Sequence, residues 1–265
     1  MNTDASISIT VNSSLEIDNC SYKGNMNGYS CAGMCGSGSF FSSDCGPTTN
    51  CIANVSLNIK NCKSSGQINN QYCGGILGND CNGYTHNGNF SNNSTLTISK
   101  CTSNCDITPN AIDSGGIIGA NFSLQSPNLS IYGLIERCSS TGMLQAYGCG
   151  GIVGDNCGNF IINNCYTTGT IYNNSNGLVG YNNISTIPQS SVSNSYASGT
   201  VLQGGFGVAG GGQANLTVTN CYAQNQYSGV GALTGVSNIA LIRGHRGSLQ
   251  RNIWKKVKHS YPILY

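Results

Sequence analysis

The chain has 265 residues, of which 37 are glycine and 15 cysteine, with 8% charged side chains and a formal net charge of +2. Asn, Ser and Thr stand where a helical protein would carry Glu and Lys, which excludes a helix bundle and predicts an all-β chain rich in turns. Disorder is excluded too, because Ile, Val, Leu, Tyr and Cys recur at fixed offsets and net charge is small. The opening Met1–Ser6 has neither the basic nor the apolar region of a signal peptide, and no apolar run reaches spanning length, so no membrane span is expected. Charge is unevenly placed. Residues 1–155 carry all nine acids and five basic residues, and residues 156–265 carry six basic residues, all between Arg243 and Lys258, and no acid. That asymmetry suits head-to-tail association or an anionic partner.

In chain order, the motif apolar-x-apolar-x-Asn-Cys recurs seven times. Its copies are Leu15/Ile17/Cys20, Leu57/Ile59/Cys62, Leu96/Ile98/Cys101, Gly133/Ile135/Cys138, Phe160/Ile162/Cys165, Ser190/Val192/Ser195 and Leu216/Val218/Cys221. Each continues through a turn residue (Gly24, Gly66, Cys105, Gly142, Gly169, Gly199, Asn225) to a large apolar residue (Met26, Ile68, Ile107, Leu144, Ile171, Val201, Tyr227). A glycine-apolar step follows, as in Gly75-Ile76, Gly116-Ile117 and Gly151-Ile152. Period two within a copy means strands with one buried face. The phase slips by one at Asn19, Asn61, Asn164, Asn194 and Asn220, where Asn tolerates the left-handed backbone of a corner. Short strands joined by such corners predict one right-handed parallel β-helix (β-solenoid) of about seven coils over residues 1–238. Long insertions are expected after the glycine-apolar step of the first three copies, about Gly36 to Val55, Asn79 to Thr95 and Ala120 to Ser130. Residues 239–265 are expected to form a C-terminal cap and basic tail, with Trp254, Tyr261, Ile263 and Leu264 covering the open end of the stack.

The cysteines divide by position. Cys20, Cys62, Cys101, Cys138, Cys165 and Cys221 share one place in the repeat, taken by Ser195 in the sixth copy, which predicts a buried ladder of small side chains needing no partner. Cys73/Cys81 and Cys149/Cys157 occur together at equal spacing and vanish together in the third copy, as two disulfides would. Cys31 with Cys35 or Cys45 is a weaker candidate. A zinc site needs four converging ligands, and no histidine lies near Cys31-x3-Cys35, so neither metal nor cofactor is expected. Asp80 and Asp155 fall at nearly equivalent positions after the glycine-apolar step, as turn residues do. His86, His245 and His259 have no acid or nucleophile spaced for a triad. Among the Asn-x-Ser/Thr sequons, Asn54, Asn92, Asn121, Asn128 and Asn183 are candidate glycosylation acceptors; others include Asn12, Asn89, Asn93, Asn173 and Asn215.

Asn176-Gly177-Leu178-Val179-Gly180 and Ser195-Tyr196-Ala197-Ser198-Gly199-Thr200-Val201 resemble the glycine-rich GLUG-type repeats of surface adhesins, and Trp254 to Tyr265 is similar to the closing segment of such arrays. The cysteine-bearing form, Cys149-Gly150-Gly151-Ile152-Val153-Gly154 with Asn164-Cys165-Tyr166-Thr167-Thr168-Gly169, resembles repeat proteins of large DNA viruses of protists. The resemblance implies a repeat scaffold at an extracellular or virion surface and does not name a ligand. The expectation is a non-enzymatic structural or attachment protein that contacts itself or other surface proteins, with no nucleic-acid partner. The alternatives are an adhesin that binds a glycan or receptor through the long loops of the first three copies, and a polysaccharide-active enzyme.

Overall fold

A computed structural model describes residues 7–38, 43–44, 49–81, 85–86, 89–122, 132–181, 190–210, 215–223 and 236–238. These residues form strands and turns with no helix. In chain order the strands are β1 (Ile7–Asp18), β2 (Ser21–Lys23), β3 (Ser43–Asp44), β4 (Thr49–Lys60), β5 (Lys63–Ile68), β6 (Thr85–His86), β7 (Asn89–Asn92), β8 (Thr95–Ser99) and β9 (Thr102–Ile107). They continue as β10 (Tyr132–Glu136), β11 (Ser139–Ser140), β12 (Phe160–Asn163), β13 (Tyr166–Thr167), β14 (Ser190–Ser193), β15 (Tyr196–Ala197), β16 (Leu216–Thr219), β17 (Cys221–Ala223) and β18 (Val236–Asn238). One parallel sheet runs β1-β4-β8-β10-β12-β14-β16, with β7 also paired to β4; the other runs β2-β5-β9-β11-β13-β15-β17-β18. From β8 to β17 consecutive strands alternate between the two sheets, and β3 pairs with β6 in a separate two-stranded sheet, an arrangement compatible with a β-solenoid.

The register follows the repeat read from the sequence. Ile17, Ile59, Ile98, Ile135, Ile162, Val192 and Val218 are direct partners from strand to strand. Met26, Ile68, Ile107, Leu144, Ile171 and Val201 line up through parallel pairing, by the β5·β9 ladder between Ile68 and Ile107 and by single bridges elsewhere. Parallel partners lie about 4.8 Å apart, so like side chains stack on like. Most of these residues are fully buried, and each buried Ile or Leu stabilises the fold by roughly 1.5–3 kcal/mol.

A second requirement is narrowness. Tyr22, Ser64, Ser103, Ser140, Thr167, Ala197 and Ala223 form a column on the second sheet, small from Ser64 onward. It faces the glycines of the glycine-apolar step. A Cβ on Gly116 would lie 2.2 Å from the Gly151 carbonyl oxygen and 2.5 Å from the Ser140 hydroxyl. On Gly151 it would lie 2.2 Å from the Gly177 oxygen and 2.9 Å from the Thr167 hydroxyl. These glycines are therefore spacing residues, kept by what faces them.

The fourth copy shows how a lost core residue is replaced. Gly133 stands where its neighbours in register carry Leu96 and Phe160. The ring of Phe122, at the end of the preceding copy, fills the vacancy: a Cβ on Gly133 would meet it at 2.7 Å. Phe122 itself is completely buried.

Two expectations change. The insertions of the first copies are partly strand, since β4 begins at Thr49 and pairs in register with Ile7–Asp18, while β7 lies inside the expected second insertion and pairs with β4. Their backbone groups are satisfied by extending the ladder, which an insertion read only as loop does not anticipate. Beyond the seventh copy, β18 adds a further strand, with Val236, Ser237 and Asn238 opposite Cys221, Tyr222 and Ala223. The expected cap residues Trp254, Tyr261, Ile263 and Leu264 lie outside the described residues.

Two substitutions test this packing by thermal unfolding. Gly116→Ala lowers the midpoint sharply, whereas Gly36→Ala, whose Cβ would meet nothing within 4 Å, leaves it within about 0.5 kcal/mol of the parent. Phe122→Ala costs about 3–5 kcal/mol, and the pair Phe122→Cys with Gly133→Leu recovers most of that loss. A double variant no better than the sum of its parts would refute the compensation.

Candidate functional site

The corners are where this chain does its most specific chemistry. Asn19, Asn61, Lys100, Arg137, Asn164, Asn194 and Asn220 all have φ between 50° and 55°, so the slips in periodicity are left-handed corners, including the two occupied by Lys and Arg. A second left-handed column comprises Ser30, Tyr72, Asp113, Gly148, Asn174 and Gly204, and a third contains Gly38, Asp80, Asn121 and Asn156. Eleven of the fifteen cysteines directly follow one of these residues.

The thiols complete the turn. Cys62 Sγ donates to the carbonyl of Lys60 at 3.2 Å, and Cys138 Sγ to that of Glu136 at 3.3 Å. Corner sulfurs also accept: the Cys138 N–H donates to Cys165 Sγ at 3.4 Å and the Cys31 N–H to Cys73 Sγ at 3.2 Å. Serine performs the same two tasks. The Cys165 N–H donates to Ser195 Oγ at 3.0 Å while Ser195 Oγ donates to the Ser193 carbonyl at 2.7 Å. Ser114 does likewise between Cys73 and Ile112. The ladder residue is therefore a short hydrogen-bonding side chain. Cysteine suits it because sulfur gives up water more readily than a hydroxyl and packs as a small apolar group.

Cys62, Cys101, Cys138, Cys165 and Cys221 are buried, but Cys20, at the start of the ladder, is exposed. The expected bridges Cys73–Cys81 and Cys149–Cys157 are not formed in this structure. Cys73 belongs to the second corner and Cys81 to the third, and each spends its sulfur on carbonyls of its own and the preceding copy: Cys73 on Gln71 and Gly28, Cys81 on Gly78, Asn79 and Gly36. Their joint presence reflects two corners that need the same cap. Cys31 and Cys35 are not bridged to each other either; Cys45 lies outside the described residues.

Burial pushes the thiols of Cys62, Cys73 and Cys149 up to about 11. Cys101 is held far above the usual range, first by its hydrogen bond with the Cys138 thiol and then by burial. Such thiols stay protonated and unreactive at neutral pH.

The second and third corners also gather the carboxyls. Asp155, Ala120 and Asn79 occupy equivalent positions, and Asp80 stands one residue later, with Asn121 and Asn156. Asp80 accepts from Asn79 Nδ2 at 3.0 Å and is also hydrogen-bonded by the Asn121 side chain. Asp113, not singled out from the sequence, lies beside Asp155, whose N–H donates to the Asp113 carbonyl at 3.2 Å. Both have an Oδ1 buried without a hydrogen-bond partner. Burial pushes Asp113 up to about 6; burial and then the charge of Asp113 push Asp155 up to about 7. The outer wall is aromatic. Tyr29 meets Tyr72 edge-on at 5.1 Å, and Tyr147 tilts against Tyr181 at 6.1 Å. Among the described residues no group of three or more His, Cys, Asp or Glu is arranged to hold a metal ion.

Comparison with known proteins finds no matching family model, no matching curated protein and no matching solved structure. The candidate sites therefore rest on this chain's own geometry. Of the glycosylation candidates, Asn54 donates through Nδ2, the atom a glycan would take, to Asn12 Oδ1 at 2.8 Å, and Asn93 Nδ2 donates to Asn54 Oδ1 at 3.1 Å. Asn92 lies in β7, Asn121 holds a left-handed corner, and Asn128 and Asn183 lie outside the described residues. His86 lies in β6, and His245 and His259 lie outside the described residues. No helix among the described residues is long and apolar enough to cross a membrane.

Native alkylation followed by peptide mass mapping tests the corners. Cys20 and Cys31 react first, and Cys62, Cys101, Cys138 and Cys165 react only after unfolding. The folded values of Cys62, Cys73 and Cys149 lie above the ordinary 9.0. Their contribution to stability is thus complete below 9.0 and lost as pH rises through about 11, and the β signal in circular dichroism collapses over that window. Cys138→Ser is tolerated at a cost below about 1.5 kcal/mol, while Cys138→Val costs more because it removes the cap.

Proposed function

We propose that the chain is a non-enzymatic structural or attachment protein of an extracellular or virion surface, built as a right-handed parallel β-solenoid of about seven coils that associates end to end. One observation supports this above the others: the first copy carries the internal columns to an open face. Leu15 is 52% exposed, whereas its register partners Leu57 and Leu96 are 2% and 0% exposed. Val11 and Cys20 are exposed beside it. Among the described residues β1 pairs only with β4, so its other edge presents backbone groups in the register of every internal junction. A second copy is the partner of matching pattern, and the acidic first part and basic tail of the chain favour head-to-tail contact. The GLUG-type resemblance supports a surface location. The sealed Oδ1 atoms of Asp113 and Asp155 count against their use as acid and base on a polysaccharide.

An adhesive reading has one specific support. Tyr29 and Tyr147, at equivalent positions of the first and fourth copies, are 62% and 51% exposed, and exposed aromatic faces suit a sugar ring or a protein hot spot.

Sedimentation velocity over about a hundredfold concentration range tests assembly. The parent protein shifts to larger species with concentration, and Leu15→Lys abolishes the shift without changing the circular dichroism spectrum. A parent protein that stays monomeric throughout removes the assembly reading. Loss of glycan-array binding in Tyr29→Ala with Tyr147→Ala would favour the adhesive one.

A further inference from the structure

The pair Asp113 and Asp155 carries an inference independent of assembly. Both are held by backbone. The Asp155 N–H donates to the Asp113 carbonyl at 3.2 Å, and the Asn121 N–H donates to the Asp155 carbonyl at 2.9 Å. Gly154 packs on the same Asp113 oxygen, with its Cβ position only 2.4 Å away. Gly148 makes room for the carboxyl, since a Cβ there would lie 2.3 Å from Asp113 Oδ1. Asp155 is 8% exposed, and the Oδ1 of each residue is shut off from solvent with no hydrogen-bond partner.

Two neighbouring carboxylates in such a place repel and are poorly solvated, so the arrangement is tolerable when a proton or a cation is present. The titratable groups facing them offer no positive charge. Tyr72 feels both carboxyls, Cys149 lies in the field of Asp113, and Cys157 in the fields of Asp155 and Asp80. The basic side chain that forms ion pairs among the described residues is Lys60, with Glu16 and Asp18 in the first two copies. Metal-ligand groups of three or more are lacking among the described residues. A proton is the simplest occupant.

We propose that Asp113 and Asp155 form a proton-operated joint between the third and fourth copies, closed while the pair holds a proton and loosened when both carboxyls are ionised. Both folded values, about 6 and about 7, lie above the ordinary 3.8. The joint's contribution to stability is therefore fully present below 3.8 and lost as pH rises through 6 and 7, the opposite of a salt-bridged carboxylate.

Thermal unfolding of the full chain at about pH 5 and about pH 8 with EDTA present reads the joint directly. The midpoint falls by at least about 4 °C on going to the higher pH, and Asp155→Asn raises the alkaline midpoint and flattens the profile. Exchange of the Asp155 and Asn121 amides, corrected for intrinsic rate, speeds up over the same window. Carboxyl-carbon NMR titration gives a reading without any variant: two aspartates titrate well above the rest. A midpoint that is level or rises with pH, or aspartates that all titrate near the ordinary value, overturns the proposal. Stabilisation by calcium at about pH 8 that Asp155→Asn abolishes also overturns it, because the pair is then a metal site.

Discussion

The described structure depends on bending at left-handed corners, three in each of the first four copies, without breaking register. Each bend places a residue in the left-handed region, and in most cases the following side chain is a thiol or hydroxyl that bonds the carbonyl two residues back and receives an N–H from the neighbouring copy. A left-handed residue other than glycine is locally unfavourable. Stacked in columns, the corners share each cap between two copies, so the stabilisation appears only when repeats associate. That is the energetic basis for a chain whose single repeat cannot stand alone.

Narrowness follows from the same stacking. The tight step after the second corner brings Gly75, Gly116 and Gly151 against Ser64, Ser103, Ser140 and Thr167, leaving room for no side chain. The apolar columns then fill what remains, and their sizes trade across copies. Where Gly133 replaces a leucine, Phe122 supplies the volume. That exchange occurs at the corner of Asn121, where Phe122 stands in the place that Cys81 and Cys157 take in the second and fourth copies, so loss of a thiol cap there coincides with gain of a core residue.

Much of this was legible in the sequence. The alternation at Leu57/Ile59 and its copies gave the strands, and Asn before Cys gave the first corner, because asparagine advertises left-handed backbone. The second corner was not legible: Ser30, Tyr72, Asp113, Gly148, Asn174 and Gly204 share a conformation but no residue type, so only the cysteine or serine that follows marks it. The cysteines misled for a related reason. Joint occurrence of Cys73 with Cys81 looks covalent until both corners are known to need the same cap. Asp113 was missed because its partner Asp155 comes from the next copy, and proximity between copies is a property of register, not of spacing along the chain.

A repeat that shares caps and columns has no natural end. At the first copy, Leu15 and Cys20 display the unfinished halves of contacts that every later copy completes. Inside the stack, the buried carboxyl pair sets a different limit, since two charges beside each other between adjacent copies oppose the closeness that the glycine steps require. On the two proposals made above, the first copy's open face favours adding a further copy, while the acid pair makes the cohesion of one internal junction depend on a proton. If both operate, pH acts at an internal joint of the rod and concentration at its ends, so the two effects separate in experiments that vary one at a time.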